Sequence, residues 1–335
     1  MKKIVYFVAA LAMILFSPLT GCHQDDGLTH ITIAEVTHSL FYAPQYIALE
    51  QGFFEEEGLK VDIITTPGAD KTMAALLSKE AQIGLMGPEA SVYVYQGGES
   101  NYAINFAQLT QKDGSFLLGR EAITDFTYDM LKGKTLIGGR KGGMPEMTLE
   151  YVLKKNGLSI TRNGEDPTAD VNIRTDVSFD VMAGVFTAGQ SDYVTLFEPS
   201  ASQVVRNGIG HIVASIGASS GEVPYTCYSA TKSYMSSHPE VLKAFTRAIK
   251  KGLDYLYSHS LDELTEAVAS SFTSSDAIEI KNVLTNYLAI EAWPKTLQLK
   301  EENYQRLIEI ITMAGELRGE AAPFEKIVNN QFVDA

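Results

Sequence analysis

Carboxylates, aromatic rings and glycines recur where short polar stretches follow apolar runs of the chain. In open α/β sheets, ligands bind beyond the carboxyl ends of strands, so residues at such positions could contact a bound molecule. Carboxylates would accept hydrogen bonds, and aromatic rings would stack against a flat ligand. The candidate ligand-binding residues are His38, Phe41, Tyr42, Gly68, Asp70, Gly87, Glu89, Gln108, Arg140, Gly142, Gly143, Met144, Glu198 and Tyr225. No catalytic residue is predicted.

Four of these candidates, Gly87, Glu89, Gly143 and Met144, lie in two segments that contain glycine and proline, at residues 87–89 and 143–146. Glycine lets the backbone approach a ligand, and proline favours the first turn of a helix, whose free N–H groups bind anions. However, Glu89 and Glu146 already complement the positive helix ends. Well-formed helix starts without any ligand would explain the same segments, although Arg140 could still neutralise a phosphate or carboxylate.

The remaining candidates also have plainer explanations. Glu198 follows an apolar strand and precedes Pro199, where it could accept hydrogen bonds, but a salt bridge or a helix cap fits equally well. Phe41 and Tyr42 could stack on a ring or could simply pack in the core. His38 is a possible polar contact, with a solvated loop histidine as the alternative.

The elements that must position these residues alternate between strand and helix. Residues 31–36 alternate like a strand, residues 44–57 are typical of a helix, and a second similar unit begins near residue 120. Such alternation predicts α/β architecture, with mainly parallel strands covered by crossover helices. Periodic runs at residues 239–257, 261–272, 275–288 and 301–315 predict four further helices.

No Pro/Gly/Ser-rich linker separates the two units, so we predict two lobes that share the chain. Extended stretches at residues 116–119 and 225–228 are predicted to be the crossings between them. The first lobe would comprise residues 29–116 and 226–335, and the second lobe residues 117–225. The protein is expected to be a monomer.

The N-terminus has the layout of a secretory signal: a basic Met1-Lys2-Lys3 and an apolar run too short to span a bilayer. Leu19-Thr20-Gly21-Cys22 looks like the lipobox of bacterial lipoproteins, whose cysteine carries diacylglycerol. We therefore expect residues 1–21 to be removed, Cys22 to be lipidated, and residues 22–28 to form a tether at the membrane. An ordinary signal peptide and an uncleaved anchor are the alternatives.

Without residues 1–21, the chain has 25 basic and 41 acidic residues, a balance that opposes nucleic-acid binding. Cys227 would be the second cysteine of this mature chain and is predicted to be a small buried side chain. The six histidines show no spacing typical of metal ligands, and no cofactor is predicted.

Residues 41–59, FYAPQYIALEQGFFEEEGL, closely resemble a segment of the solute-binding proteins of ABC importers for nitrate, sulfonates, taurine and thiamine pyrimidine precursors. Residues 78–84, 131–135, 142–147 and 192–199 add weaker matches, with Gln82 in place of the usual aspartate. The resemblance implies a periplasmic-binding-protein-like (type II) fold with two hinge crossings, an extracytoplasmic location, and a separate permease and ATPase as partners. In members that bind pyrimidines, an acid at a position like that of Glu198 accepts hydrogen bonds from ring amines.

Aromatic rings together with several carboxylates favour a planar, donor-bearing ligand, with a thiamine pyrimidine precursor as the first choice. A sulfonate, taurine or nitrate is the alternative ligand. Two other classes of function stay open: a pyrimidine-synthesis enzyme, since related enzymes share the implied fold, and a surface sensor, since closure on a ligand would also serve signalling.

Overall fold

Two β-sheets organise the computed structural model, which describes residues 27–333. The first sheet contains β1 (Thr29–Glu35), β2 (Leu59–Thr65), β3 (Ile83–Met86), β4 (Ala103–Thr110) and β11 (Thr226–Thr231), in the order β2-β1-β3-β11-β4. The second sheet contains β5 (Phe116–Gly119), β6 (Lys134–Ile137), β7 (Ile160–Arg162), β8 (Val171–Arg174), β9 (Tyr193–Leu196) and β10 (His211–Ser215), in the order β10-β5-β9-β6-β8-β7. Each sheet with its covering helices is called a lobe below.

Helices cover both sheets, as the alternation of apolar patterns predicts. The helices are α1 (Ala43–Glu50), α2 (Phe53–Glu56), α3 (Ala69–Leu77), α4 (Glu89–Gln96), α5 (Met144–Lys155), α6 (Met182–Thr187), α7 (Ser200–Arg206), α8 (Ile216–Ser220), α9 (Lys232–Ser237), α10 (Pro239–Ser258), α11 (Leu261–Val268), α12 (Ala277–Ala289), α13 (Glu301–Met313) and α14 (Phe324–Ile327). Among residues 27–333, no helix is both long enough and apolar enough to cross a membrane.

The predicted helix at residues 44–57 is in fact two helices, α1 and α2. Helix α1 ends at Glu50, and the break falls at Gly52, whose left-handed φ of 73° interrupts the regular helix before α2 begins at Phe53. The predicted C-terminal helices are confirmed within a few residues. The largest difference is at α11, which ends at Val268 rather than near residue 272.

Each sheet has one strand that runs against the others, and the path of the chain explains why. β4 ends at Thr110, and the chain crosses directly into the second sheet, where Phe116 at the start of β5 pairs with Leu196 at the end of β9. The return is symmetrical, because Thr226 at the start of β11 pairs with Thr110. A strand that enters a sheet where its neighbours end must run antiparallel to them.

The predicted crossing stretches are therefore the first residues of β5 and β11, and the crossings themselves lie just before them, at residues 111–115 and 221–225. The carboxyl ends of the parallel strands in both sheets consequently face the space between the lobes. Type II fold architecture, with two mainly parallel sheets, is confirmed.

The C-terminal helices contact both lobes. Helix α13 packs on α5 of the second lobe, where Tyr151 Oη donates to Glu309 Oε2 at 3.2 Å and Arg162 donates to the Ala314 carbonyl at 2.9 Å. The chain then returns to the first lobe, where Asn105 Nδ2 donates to the Ile327 carbonyl at 3.2 Å. The prediction placed residues 226–335 in the first lobe, whereas α13 lies against the second.

Close packing of α1 on α10 gives a stability prediction at Gly252. A Cβ at this position would lie 2.2 Å from the Pro44 carbonyl oxygen and 3.1 Å from the Ala48 Cβ. We expect Gly252→Ala to lower the free energy of unfolding by about 1–3 kcal/mol, because the clash outweighs the better helix propensity of alanine.

The matched control is Gly184→Ala in α6, where no heavy atom lies within 4 Å of the new Cβ. This variant should be as stable as the native protein or up to about 1 kcal/mol more stable. Urea denaturation of both variants measures the difference. Equal stability of the Gly252 variant and the native protein would contradict the packing described here.

Candidate ligand-binding site

The two crossings lie side by side and form the floor of the space between the lobes. The Val223 N–H donates to the Gln111 carbonyl at 2.9 Å, and the Tyr225 N–H donates to the Thr110 carbonyl at 3.1 Å. A third segment joins them, because the Gln111 N–H donates to the Ala292 carbonyl at 2.8 Å. Side chains on these segments are held firmly relative to both sheets.

Aromatic side chains from both lobes meet above this floor. The Phe41 ring lies 5.7 Å from the Phe197 ring, 5.9 Å from the Tyr225 ring and 5.0 Å from the Tyr287 ring, measured between centroids. Phe41 also packs directly on the first crossing, since a Cβ at Gly114 would lie 2.6 Å from its ring. These rings meet at interplanar angles of 47° to 77° and form an apolar cluster, called the aromatic wall below, against which a planar ligand could pack.

Beside the aromatic wall, several buried polar atoms have no hydrogen-bond partner within the described residues. They are Glu89 Oε2, Gln108 Oε1, Asp113 Oδ2, Ser115 Oγ and Tyr225 Oη. Their residues are at most 5% exposed. Buried polar atoms are nearly always paired in folded proteins, because leaving one unpaired costs roughly 1–3 kcal/mol. A group of such atoms at the junction of two lobes therefore indicates a binding site.

Glu89 starts α4, and its carboxyl group folds back over Gly87. A Cβ at residue 87 would lie 2.0 Å from Glu89 Oε2, so only glycine leaves room for this arrangement. Burial raises the pKa of Glu89 to about 8, although its own backbone N–H and Arg140 favour the ionised form. At pH 7 the group is mostly a neutral acid, which can both donate and accept a hydrogen bond.

Asp113 lies on the first crossing and is fully buried. Its Oδ1 accepts a hydrogen bond from the Ser115 N–H at 2.6 Å, which fixes the orientation of the carboxyl group. Burial raises the pKa of Asp113 to about 6, with the bonds from Ser115 opposing the rise, so the group is mostly ionised at pH 7. The pKa of Tyr225 is raised first by burial and then by Asp113, Tyr42 and Glu89, which places these four residues in one neighbourhood.

Of the predicted residues, the structure brings Phe41, Tyr42, Glu89 and Tyr225 together at this position. Gln108, two residues before the end of β4, supplies a further unpaired buried atom. Tyr42 is 3% exposed, and its pKa is raised by burial and by Glu35.

Arg140, Asp70 and Gly68 lie at the rim, where they connect the lobes. Arg140 Nη2 lies 3.0 Å from Asp70 Oδ1, and both side chains are more than half exposed. Gly68 precedes α3 with a φ of 101°, and the Arg140 side chain passes close to it. An exposed pair of this kind contributes about 0–1 kcal/mol. The guanidinium that was predicted to neutralise an anion is thus engaged by a carboxylate of the other lobe.

The helix start at residues 142–144 is filled by the protein itself. The Gly142 N–H donates to Glu146 Oε2 at 3.0 Å, and Glu146 also pairs with Arg162 at 2.9 Å. Gly143 caps α5, and Met144 is buried. The plainer explanation, a well-formed helix start, accounts for these residues.

Glu198 has a structural role in place of the predicted contact with a ligand. Its carboxylate accepts bonds from the Ser202 N–H at 2.9 Å, from Ser202 Oγ at 2.8 Å and from Asn286 Nδ2 at 2.5 Å. Its backbone N–H donates to Tyr287 Oη at 3.1 Å. Because its oxygens already have three donors, Glu198 ties α7 of the second lobe to α12.

His38 likewise has partners at both ring nitrogens. Nδ1 lies 2.7 Å from Tyr46 Oη, Nε2 lies 2.8 Å from the Ser271 carbonyl, and the ring stacks on Phe272. Its pKa is raised, chiefly by the hydrogen bond to Glu35. His38 therefore attaches the turn after α11 to the first lobe.

Sequence reasoning missed Asp113, Phe197 and Tyr287. Asp113 comes three residues after the end of β4, beyond the strand end where ligand residues were sought. Its neighbour Gly114 was the available signal, since an Asp-Gly pair after a long strand indicates a turn. Tyr287 lies on α12, and no sequence pattern shows that this helix crosses the space between the lobes. Cys227 is buried, as predicted.

Comparison with known proteins gives this architecture a family. A model described as the NMT1-like family matches residues 29–270. The chain belongs to the NMT1-like family. Over 98% of its length it is 42% identical to YtlA, a candidate binding protein of Bacillus subtilis (strain 168), of which the match covers 96%.

Two further proteins resemble this NMT1-like chain at lower identity, one in sequence and one in fold. The 4-amino-5-hydroxymethyl-2-methylpyrimidine phosphate synthase of Aspergillus parasiticus is 24% identical, with 84% of this chain and 86% of the synthase covered. The alkanesulfonate-binding protein SsuA of Xanthomonas axonopodis pv. citri, solved with MOPS bound, shares the fold at a TM-score of 0.68 and 17% identity. That match covers 90% of this chain and 98% of SsuA.

The unpaired acid in the site gives a prediction about pH and stability. An unfolded Glu89 titrates near pH 4.5 and the folded one near pH 8, so the folded state holds a proton that the unfolded state has released between these values. Stability should therefore fall as pH rises through this range. Burial also raises the pKa of Glu146 to about 8 and that of Asp113 to about 6, so these groups contribute to the same fall. We expect Glu89→Gln to make the fall smaller and to be about 1–3 kcal/mol more stable than the native protein at pH 9.

Urea denaturation of ligand-free protein at pH 5, 7 and 9 measures the effect. Glu80→Gln, which changes an exposed carboxyl group, is the matched control and should leave the pH profile of the native protein unchanged. Parallel profiles for Glu89→Gln and the native protein would contradict the burial of a neutral acid at this site.

Proposed function

We propose that this NMT1-like protein is the extracytoplasmic solute-binding component of an ABC importer and that it captures a small planar ligand by closure of its two lobes. The observation that carries the proposal is the group of unpaired buried acceptors beside an aromatic wall at the lobe junction. Support also comes from the relatives, because YtlA is a candidate binding protein and SsuA, of the same fold, is an alkanesulfonate-binding protein.

The ligand is a donor-bearing heterocycle resembling a thiamine pyrimidine precursor. Ring N–H groups would satisfy the oxygens of Glu89 and Asp113, and the ring would lie against Phe41 and Tyr225. A sulfonate, taurine or nitrate is the alternative, since the solved relative SsuA binds an alkanesulfonate. An anion would meet acidic groups at the centre of the site, and the nearby Arg140 is engaged by Asp70.

The lobes already contact each other in this structure, and closure would form such contacts. Besides the Arg140–Asp70 pair, Tyr93 Oη donates to Met147 Sδ at 3.4 Å across the lobes. A ligand that binds the closed form more tightly than the open form shifts the population toward it. The closed form would then be the one that docks on a permease and ATPase.

A synthase activity is the rival function, because one relative is a pyrimidine phosphate synthase. The 42% identity to a candidate binding protein over nearly the whole chain favours binding instead. Within residues 27–333, no group of three or more His, Cys, Asp or Glu residues is placed to hold a metal ion. Turnover of a bound pyrimidine during the binding measurements would favour the synthase.

The proposed ligand gives a prediction for Tyr42. The native protein should bind 4-amino-5-hydroxymethyl-2-methylpyrimidine, and Tyr42→Ala should weaken that binding at least tenfold, about 1.4 kcal/mol, because the ring lines the site. Isothermal titration measures the affinity, with taurine and nitrate as competing ligands. Small-angle scattering should show a smaller radius of gyration with ligand.

The matched control is Tyr95→Ala, at the far end of α4, where the ring pairs with Tyr102 at 5.1 Å. This variant should retain the native affinity. Tight binding of taurine or nitrate without any pyrimidine signal would replace the ligand assignment. Unchanged scattering and melting temperature with every solute would overturn the receptor proposal itself.

The predicted lipid anchor gives a separate experiment, although Cys22 and residues 1–21 lie outside the described residues. Cys22→Ala should move the protein from the membrane to the soluble fraction, because attachment depends on acyl chains at this thiol. Cys227→Ala, at the buried thiol, should leave the protein on the membrane. Fractionation followed by immunoblotting measures the distribution, and continued membrane attachment of Cys22→Ala would contradict lipidation.

A further inference from the structure

The first crossing carries a carboxylate, that of Asp113, whose position bears on the charge of the ligand. Close packing restrains the backbone around Asp113. A Cβ at Gly217 would lie 2.1 Å from the Asp113 carbonyl oxygen, and the adjacent Gly114 packs against the Phe41 ring. The Ser115 N–H holds Oδ1 at 2.6 Å. Oδ2 is left without a partner in the described part of the chain, although the residue is fully buried.

We propose that Asp113 is the counter-charge of the ligand and that the protein selects a planar cation, with an amidinium-like edge bound by Asp113 Oδ2 and the Tyr225 hydroxyl. This inference rests on the proposed function, because it concerns the same site. It names the charge of the ligand and a binding residue on the hinge.

The charge distribution around the site supports a cationic ligand. Burial raises the pKa of Asp113, and hydrogen bonding from the neighbouring Ser115 and Tyr225, neither of which carries a positive charge, opposes that rise. The cation that acts on Glu89 is Arg140, which is paired with Asp70 at the rim. A buried carboxylate without a cation is costly, and a cationic ligand would supply the missing charge.

The two unpaired acids have different parts in this arrangement. With a pKa of about 6, Asp113 is mostly ionised at pH 7, whereas Glu89, with a pKa of about 8, is mostly neutral. Asp113 is therefore the charged partner, and Glu89 is a neutral group that can donate to a ring nitrogen or accept from an amine. An amidinium offers two parallel N–H donors, which match a carboxylate oxygen and an adjacent hydroxyl.

The position of Asp113 also connects ligand charge to closure. The residue lies between β4 of the first lobe and β5 of the second, and Tyr225 lies on the return crossing beside it. A cation bound by both would hold the two crossings together at the hinge, beside the edge-to-face contact of Phe41 and Phe197 that joins the lobes.

Three probes with the same ring and different charge test the proposal: benzamidinium, benzamide and benzoate. Isothermal titration at pH 7.5 should show benzamidinium binding at least tenfold more tightly than benzamide, and benzoate should not bind. Asp113→Asn keeps the shape of the side chain and removes its charge, so it should weaken benzamidinium binding at least tenfold more than it weakens benzamide binding. Asp129→Asn, at an exposed carboxyl group, is the matched control and should retain the native affinities.

Should Asp113→Asn fail to fold, Tyr225→Phe tests the same edge, because it removes the hydroxyl and keeps the ring. It should weaken benzamidinium binding several-fold without changing benzamide binding. Equal affinities for benzamidinium and benzamide, or full benzamidinium affinity in both variants, would overturn the proposal. Binding of a neutral pyrimidine with no benzamidinium signal would overturn it while leaving the proposed function intact, whereas failure of every solute to bind or to close the lobes would overturn both.

Discussion

The path of the chain through the two crossings determines the rest of the structure. Because each crossing leaves one sheet at its carboxyl edge and enters the other at the same edge, β5 and β11 run antiparallel to their neighbours, and the two carboxyl edges face one another. The loops that follow the parallel strands therefore converge from both lobes. The crossings themselves form the floor of that space, which is why a residue within one of them, Asp113, reaches the centre.

Local sequence patterns predicted much of the fold, since each pattern reports on its own element. The α/β alternation, the C-terminal helices and the crossing positions near residues 116 and 226 follow from apolar periodicity and glycine positions. What the patterns could not show depends on contacts between distant parts of the chain. Gly52 divides one predicted helix into two, and nothing within residues 301–313 shows that α13 lies against α5 of the second lobe.

The candidate site also has a part that the sequence predicts and a part that depends on contacts between distant residues. Strand-end rules selected Phe41, Tyr42, Glu89 and Tyr225, which lie together in the structure, because those rules follow from sheet geometry. They could not show which side chains have free hydrogen-bonding capacity. Glu198 and His38 were plausible by type and position, yet their polar atoms are occupied by Ser202, Asn286, Tyr46 and Ser271. Pairing of this kind is a property of the assembled molecule.

The route of α13 has a consequence for how the molecule can be divided. The second sheet is built wholly from residues 116–215, which form one continuous stretch of the chain. However, α5 in that lobe is covered by α13, which comes nearly 150 residues later. The family model stops at residue 270, before α12 and α13. A fragment cut at the two crossings would expose the apolar side of α5. It would also leave Lys154 and Arg162 without the Met313 and Ala314 carbonyls to which they donate. Recombination between relatives at the crossings would meet the same obstacle, so exchange of the second lobe between family members requires α13 to be transferred with it.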